Sequence, residues 1–216
     1  MTTSTAERSR ECIRGLYGVT PDTEDSETLM PQVRAALEGG MRLLQYRNKS
    51  TDRALRRYQA SAIQALCLVH NAALIVNDDV ELALEVDAAG VHLGREDGSI
   101  AEARARLGPD KLIGATCYRL LENAERALNE GADHIAFGSF FVSTVKPGAV
   151  RSTPSILTEA KRKFGVPVVA IGGITTENAP VVISAGADSV AVITALFGAP
   201  DIAAAARQFN ALFDKD

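Results

Sequence analysis

Short runs of branched and aromatic apolar residues recur along the chain. Each is followed by a longer stretch in which apolar positions return every three or four residues. The short runs predict strands at Gly15–Val19, Leu43–Tyr46, Ala73–Val76, Gly90–Leu93, Leu112–Thr116, His134–Phe137, Val168–Ile171 and Ser189–Ile193. The longer stretches predict helices at Thr28–Glu38, Asp52–Val69, Val80–Val86, Ile100–Leu107, Leu120–Glu130, Ser155–Phe164, Glu177–Ala185 and Asp201–Phe213. Strict alternation of strand and helix calls for parallel strands. Eight such units in 216 residues predict a closed (β/α)8 TIM barrel. An open doubly wound sheet is the alternative, and it normally has fewer strands. No linker or low-complexity tract interrupts the pattern, so one barrel domain is expected over residues 1–216, with residues 1–12 as a poorly ordered or helical extension.

The two kinds of joint differ in chemistry. Glu38-Gly39-Gly40, Asp87-Ala88-Ala89-Gly90, Glu130-Gly131-Ala132-Asp133 and Ala185-Gly186-Ala187-Asp188 each follow a helix and precede a strand. Glycine there suits the left-handed position that stops a helix. Asp133 and Asp188 fall on this stability face and read as structural. The strand-to-helix joints instead collect polar groups: Thr20-Pro21-Asp22, Arg47-Asn48-Lys49, Asn77-Asp78-Asp79, Gly94-Arg95-Glu96-Asp97, Cys117-Tyr118, the loop 138–153, Gly172-Gly173 and Thr194. In a parallel barrel these joints share the rim where ligands bind.

Composition narrows the partners. The chain is 46% hydrophobic, enough for a large core, and its net charge of −4 is mixed in sign from end to end. It has no basic stripe and few aromatic residues, so nucleic acid is not an expected partner. Cys12, Cys67 and Cys117 are odd in number and widely spaced, which reads as reduced thiols of a cytoplasmic protein. No secretory h-region and no run of membrane-spanning length is visible.

Leu74-Ile75-Val76 switches at once to Asn77-Asp78-Asp79, and Gly90-Val91-His92-Leu93 is followed by Glu96 and Asp97. Carboxylates from neighbouring strand ends suit Mg²⁺ if a phosphate supplies further oxygens. For Asp78 a helix cap is the competing role. Gln45, Arg47 and Lys49 lie two apart and can share a face, which makes an anion site. Paired glycines after the seventh strand and Ile193-Thr194 after the eighth match the phosphate cup of such barrels. The loop 138–153 is long for its place and reads as a lid carrying Ser143, Thr144 and Lys146, with a surface loop as the alternative. His70 reads as a helix end, His134 as a stability-face residue, and His92 as hydrogen-bonded filling. Two anion sites on one rim, one with a metal, imply transfer between two phosphorylated substrates.

Six segments, in this order and spacing, resemble thiamine phosphate synthase: Leu16-Tyr17-Gly18-Val19-Thr20, Gln45-Tyr46-Arg47-Asn48-Lys49, Asn77-Asp78-Asp79, Gly94-Arg95-Glu96-Asp97, Ala170-Ile171-Gly172-Gly173-Ile174 and Ala191-Val192-Ile193-Thr194. They span about Leu16 to Phe197. The resemblance implies a transferase that joins hydroxymethylpyrimidine pyrophosphate to thiazole phosphate, including its carboxylated form, and releases pyrophosphate. It implies that Gln45, Arg47, Lys49, Asn77 and Lys146 bind the pyrimidine pyrophosphate, that Asp78 and Asp97 hold Mg²⁺, and that Gly173, Ile193 and Thr194 hold the thiazole phosphate with Ser143, Thr144 and Val145 on its other side. Thr116 would also line the substrate site. Arg47, Lys49 and Lys146 would be the catalytic cations.

The same resemblance implies dissociative loss of pyrophosphate, with no general base, and a possible homodimer. The family usually has Gln at Arg95, Ser at Thr116 and Thr194, and Pro-Thr-x-Thr-Lys where this chain reads Val142-Ser143-Thr144-Val145-Lys146. The threonines keep a hydroxyl, and Val145 does not. A thiazole tautomerase-like relative and a non-catalytic phospholigand-binding barrel are the alternatives.

Overall fold

The strands are apolar on both faces because both faces are buried. Every residue of β1 (Gly15–Val19), β2 (Leu43–Tyr46), β4 (Gly90–Leu93) and β8 (Ser189–Val192) is buried. The chain is described here from a computed structural model over residues 13–142 and 150–214. The expected extension at 1–12 lies outside the described residues, as do residues 143–149 of the long loop. The remaining strands are β3 (Ala73–Asn77), β5 (Leu112–Tyr118), β6 (His134–Gly138) and β7 (Val168–Ile171). All pair in parallel and in chain order, and β8 returns to β1 to close a (β/α)8 barrel. Closure overturns the open-sheet alternative.

Alternation along each strand sorts the side chains. Tyr17, Val19, Leu43, Ile75, Leu112, Ala136, Val169 and Ala191 form the cluster inside the barrel. Leu16, Leu44, Val76, Val91, Ile113, Ile135, Val168 and Val190 face the helices. Those helices are α1 (Ser26–Glu38), α2 (Arg53–Val69), α3 (Val80–Glu85), α4 (Ile100–Leu107), α5 (Leu121–Asn129), α6 (Ser155–Lys163), α7 (Ala179–Ser184), α8 (Thr194–Phe197) and α9 (Ile202–Ala211).

Capping fixes where most helices begin. Asp25, Asp52, Asp79, Ser99 and Asp201 each accept a hydrogen bond from a backbone N–H three residues on. Asp52 and Asp201 are therefore caps and not the first helical residues that the sequence pattern predicts. The helix expected from Glu177 begins only at Ala179, because Pro180 has no N–H to donate in the first turn of a longer helix and Asn178 is drawn into a turn with Thr175. Helix α8 was not anticipated. Strand β5 runs two residues further than expected, through an irregular register after Thr116.

On the stability face, Gly40, Gly131 and Gly186 take positive φ as the joints require. The fourth joint corrects the pattern: Asp87 is its left-handed residue, with φ 52. Gly90 there serves strand packing instead, since a Cβ would lie 2.0 Å from the Leu112 carbonyl oxygen. Asp133 and Asp188 accept hydrogen bonds at 2.7 Å from the N–H groups of Ile113 and Val168, and pair with Arg104 and Lys161. Cys67 and Cys117 are buried unpaired thiols, and burial pushes both up to about 12. Cys12 lies outside the described residues. Among the described residues no helix is long and apolar enough to cross a membrane.

Asp188→Ala leaves the Val168 N–H without its side-chain acceptor. A loss of about 1–3 kcal/mol is expected, read as a lower urea midpoint at unchanged slope. A shift within the range of ordinary surface substitutions contradicts the anchoring role.

Candidate active site

Strand β3 ends at Asn77, and the next residue turns sharply. Asp78 has φ 65, a conformation that aspartate tolerates better than most residues. Its N–H donates to the His92 carbonyl oxygen of β4 at 2.9 Å. The cap of α3 belongs to its neighbour: Asp79 accepts from the Leu82 N–H at 2.9 Å and from Arg56 Nη1 at 3.1 Å. The Asp78 carboxylate is thus not the cap, and Lys49 Nζ stands 2.9 Å from its Oδ2. Asp97 Oδ2 accepts the Gly94 N–H at 2.9 Å. Partial burial pushes the Asp97 carboxyl above its ordinary value, and the adjoining Asp78 carboxylate pushes it further; the Gly94 N–H and Lys49 act in the opposite direction. Among the described residues no group of three or more His, Cys, Asp or Glu gathers. Two hard carboxylates are what the rim offers a cation, and such a pair suits Mg²⁺ when phosphate oxygens and water complete the shell. A cleft of about 410 Å³ opens beside them, lined by Asn48, Asn77, Asp78, Leu93, Asp97 and Arg106 among others.

Gln45, Arg47 and Lys49 were expected to point together, and the structure separates them by depth. Gln45 is buried and donates to the Tyr17 hydroxyl at 3.0 Å inside the barrel. Strand β2 ends at Tyr46, which faces outward and donates to Gln59 at 2.9 Å. Arg47 and Lys49 therefore lie on a loop. Thr20 Oγ1 accepts the Arg47 N–H at 2.8 Å. Asp22 accepts from Arg47 Nη1 at 3.3 Å and from the Lys49 N–H at 2.8 Å. Sequence reasoning placed Asp22 on the rim but gave it no task. Its role comes from the approach of two loops 25 or more residues apart in the chain, which local spacing does not reveal.

Inside the barrel, His92 Nε2 lies 2.9 Å from Thr116 Oγ1. Thr116 is half-buried and His92 buried. His134 begins β6, yet its side chain lies wholly buried in the lumen, 5.8 Å from the His92 ring centre. The reading of His134 as a stability-face residue is corrected: β6 starts deep, and the inward phase of its alternation begins with the histidine.

On the opposite arc, Gly173 has φ 63, and a Cβ there would lie 2.2 Å from the Val142 carbonyl oxygen. The backbone of the loop after β6 occupies that side, so close protein packing already demands glycine. Asn178 Nδ2 donates to the Gly173 carbonyl oxygen at 3.0 Å. Ile193 caps α8, and Thr194 is its first residue. A short extra helix after the eighth strand is the usual companion of a phosphate in these barrels. Ser143, Thr144, Val145 and Lys146 lie outside the described residues. The flanks of their loop meet where the Ser152 N–H donates to the Ser139 carbonyl oxygen at 2.7 Å.

The profile of the thiamine monophosphate synthase family matches residues 16–196. A thiamine-phosphate synthase of Thiobacillus denitrificans is 53% identical over 92% of this chain and 94% of its own length. One of Thioalkalivibrio sulfidiphilus is 51% identical over 98% and 99%. The solved structure of a thiamine phosphate pyrophosphorylase of Pyrococcus furiosus superposes with a TM-score of 0.85 at 35% identity, covering 95% of this chain and 97% of that one.

The neighbours Asp78 and Asp79 should separate on mutation. Asp79→Ala removes the α3 cap and a partner of Arg56, and should lower stability by about 1–2 kcal/mol. Asp78→Asn should change it by less than about 0.5 kcal/mol. Thermal unfolding of both variants decides, and an equal loss in the two would return the cap to Asp78.

Proposed function

The chain belongs to the thiamine monophosphate synthase family, and from that premise we propose how its rim performs the family's reaction. The chain is a transferase of thiamine biosynthesis, condensing a pyrimidine pyrophosphate with a thiazole phosphate to give thiamine phosphate and pyrophosphate. The observation that carries the site assignment is the Asp78–Asp97 pair with Lys49 at its edge.

In this reading Arg47, Lys49 and Asn77 take the pyrophosphate, joined by Lys146 from the loop after β6. Lys49 leaves Asp78 for a phosphate oxygen when the substrate arrives, and Asp22 keeps Arg47 oriented until then. Gln45 and Thr116 meet the pyrimidine ring at the barrel mouth. Asp78 and Asp97 hold Mg²⁺, whose charge, when bound, stabilises the departing pyrophosphate. The cations lower the barrier by fixed positive charge at the departing pyrophosphate, the aspartates contribute only as holders of the metal, and alignment of the thiazole nitrogen supplies the rest. Gly173, Ile193 and Thr194 form the thiazole phosphate cup, with Ser143, Thr144 and Val145 on its other side. Val145 offers that phosphate no hydroxyl.

The intact pair of aspartates beside Arg47 and Lys49 favours synthesis over the tautomerase-like and non-catalytic alternatives. The buried reduced thiols fit a cytoplasmic site of action. A homodimer of single-barrel chains is the assembly that the family resemblance implies. Incubation of both substrates with Mg²⁺ tests the assignment, through release of pyrophosphate and appearance of thiamine phosphate.

Asp78→Asn should reduce turnover by orders of magnitude while the fold persists; near-normal turnover with unchanged Mg²⁺ dependence would sink the metal role. The metal-free protein offers a second check. The raised Asp97 carboxyl means that the folded chain binds this proton more tightly than the unfolded chain does. Stability therefore falls as pH climbs from the ordinary aspartate value through the raised one, and the deficit persists at neutral pH. Mg²⁺ should raise the melting temperature more at about pH 7 than near pH 4, where protons compete for the carboxylates. Asp97→Asn should raise the melting temperature of the metal-free protein at neutral pH and abolish the Mg²⁺ shift.

Arg47→Ala should weaken binding of the pyrimidine pyrophosphate by about tenfold or more, the scale of a lost charged hydrogen bond. Thiazole phosphate affinity should stay nearly constant. Calorimetry on each ligand reads both, and equal losses would refute two separate anion sites.

A further inference from the structure

Three nitrogens in the barrel lumen need an explanation. His92 Nδ1, His134 Nδ1 and His134 Nε2 are buried and have no hydrogen-bond partner among the described residues. Both rings are buried, and neither ring has a carboxylate hydrogen-bond partner among the described residues. A cation so placed is disfavoured, so each ring is neutral, with one N–H donor and one acceptor nitrogen. Buried polar groups left unpaired are rare in folded proteins, and orphaned donors are rarer than orphaned acceptors.

The geometry around Gly114 brings two of the three together. Gly114 pairs with His92 on one side and His134 on the other. A Cβ at Gly114 would stand 2.3 Å from His134 Nε2 and 2.4 Å from His92 Nδ1. The two nitrogens are thus no further apart than the sum of those lengths. That span is within reach of one water making two ordinary hydrogen bonds. Glycine at 114 is what lets both ring nitrogens approach the strand backbone, and so each other, this closely.

We propose that one water molecule bridges His134 Nε2 and His92 Nδ1 beside Gly114, and that His134 thereby acts as a positioning residue for Thr116. The direction of each hydrogen bond follows. His134 has its proton where a partner exists, on Nε2, and donates it to the water. The water donates to His92 Nδ1, so the His92 proton resides on Nε2. That N–H donates to Thr116 Oγ1 across the observed 2.9 Å. The Thr116 hydroxyl hydrogen is then left to point onward, and Thr116 meets the substrate as a donor. The chain of bonds selects an acceptor atom of the ligand, such as a pyrimidine ring nitrogen, over a donor such as an amino group. The ligand half of this proposal rests on the assignment of Thr116 to the pyrimidine given above; the bridge itself does not.

Long-range ¹H–¹⁵N correlation on histidine-labelled protein at neutral pH reads the tautomers without any mutation. Both His92 and His134 should carry their proton on Nε2, and a long-lived water should show cross-relaxation with the Gly114 Hα or the His92 ring. His134→Phe should convert His92 to a mixture of tautomers. It should also raise the Michaelis constant for the pyrimidine pyrophosphate by about fivefold, the scale of one neutral hydrogen bond, with the turnover number and the thiazole phosphate constant unmoved. His134→Gln, whose amide can reach the water, should restore most of that loss. A His92 protonated on Nδ1, absence of the water signal, or a His134→Phe enzyme with unchanged tautomer and Michaelis constant each overturns the bridge. Thr116→Val separates the two halves: an unchanged pyrimidine constant in that variant refutes the ligand contact, while the tautomers and the water signal still decide the bridge.

Discussion

Parallel strands that are apolar on both faces must be covered on both. Helices cover the outside, the packed lumen covers the inside, and closure of the sheet on itself leaves no edge with unpaired N–H and C=O groups. The pairing of β8 with β1 supplies that closure. Its consequence for chemistry is geometric. The strand interiors are occupied mainly by apolar packing, so charged side chains gather at strand ends. Parallel direction sends all the carboxyl ends to one rim. The aspartates, the cations and the glycine turn lie on that rim because eight strands point the same way. The opposite rim keeps Asp133 and Asp188, whose carboxylates are used on backbone N–H groups.

The rim is built to tolerate charge that would otherwise repel. Asp78 raises the cost of ionising Asp97, and Lys49 reduces it. Asp22 does the matching task for Arg47 while its second oxygen holds the Lys49 N–H. Each cation thus waits beside a carboxylate that is weaker than a pyrophosphate as a partner. These pairs are half-exposed and contribute little to stability. Their value lies in keeping the groups oriented before the substrate arrives, so that less ordering is needed at the moment of binding.

Below the rim the lumen is not purely apolar. Tyr17 and Gln45 satisfy one another, Ser189 donates to the Gly15 carbonyl oxygen, and the two histidines flank Gly114. Burial keeps the Tyr17 phenol protonated and both imidazoles neutral. A polar but uncharged floor can present hydrogen bonds to a neutral heterocycle without competing with the rim for anions.

The sequence by itself determined the architecture, because periodicity of burial is a local property: Leu74-Ile75-Val76 reads as a buried strand whatever stands beside it, and strict alternation leaves parallel closure as the natural outcome. It also located the rim residues Arg47, Lys49, Asp78 and Asp97, since polarity changes abruptly where a strand leaves the core. Only the tertiary structure decided how neighbouring residues divide their tasks. Asp78 and Asp79 are equivalent as caps in a propensity scale, and the left-handed turn at Asp78 assigns the cap to Asp79. Gly90 and Asp87 exchange their expected roles because the Leu112 carbonyl of an adjacent strand leaves no room for a Cβ. Asp22 acquires its function from a loop after another strand, and His134 becomes a lumen residue because barrel register, not strand position, fixes its depth. Each of these depends on contacts between segments distant in sequence, and such contacts exist only after the sheet has closed.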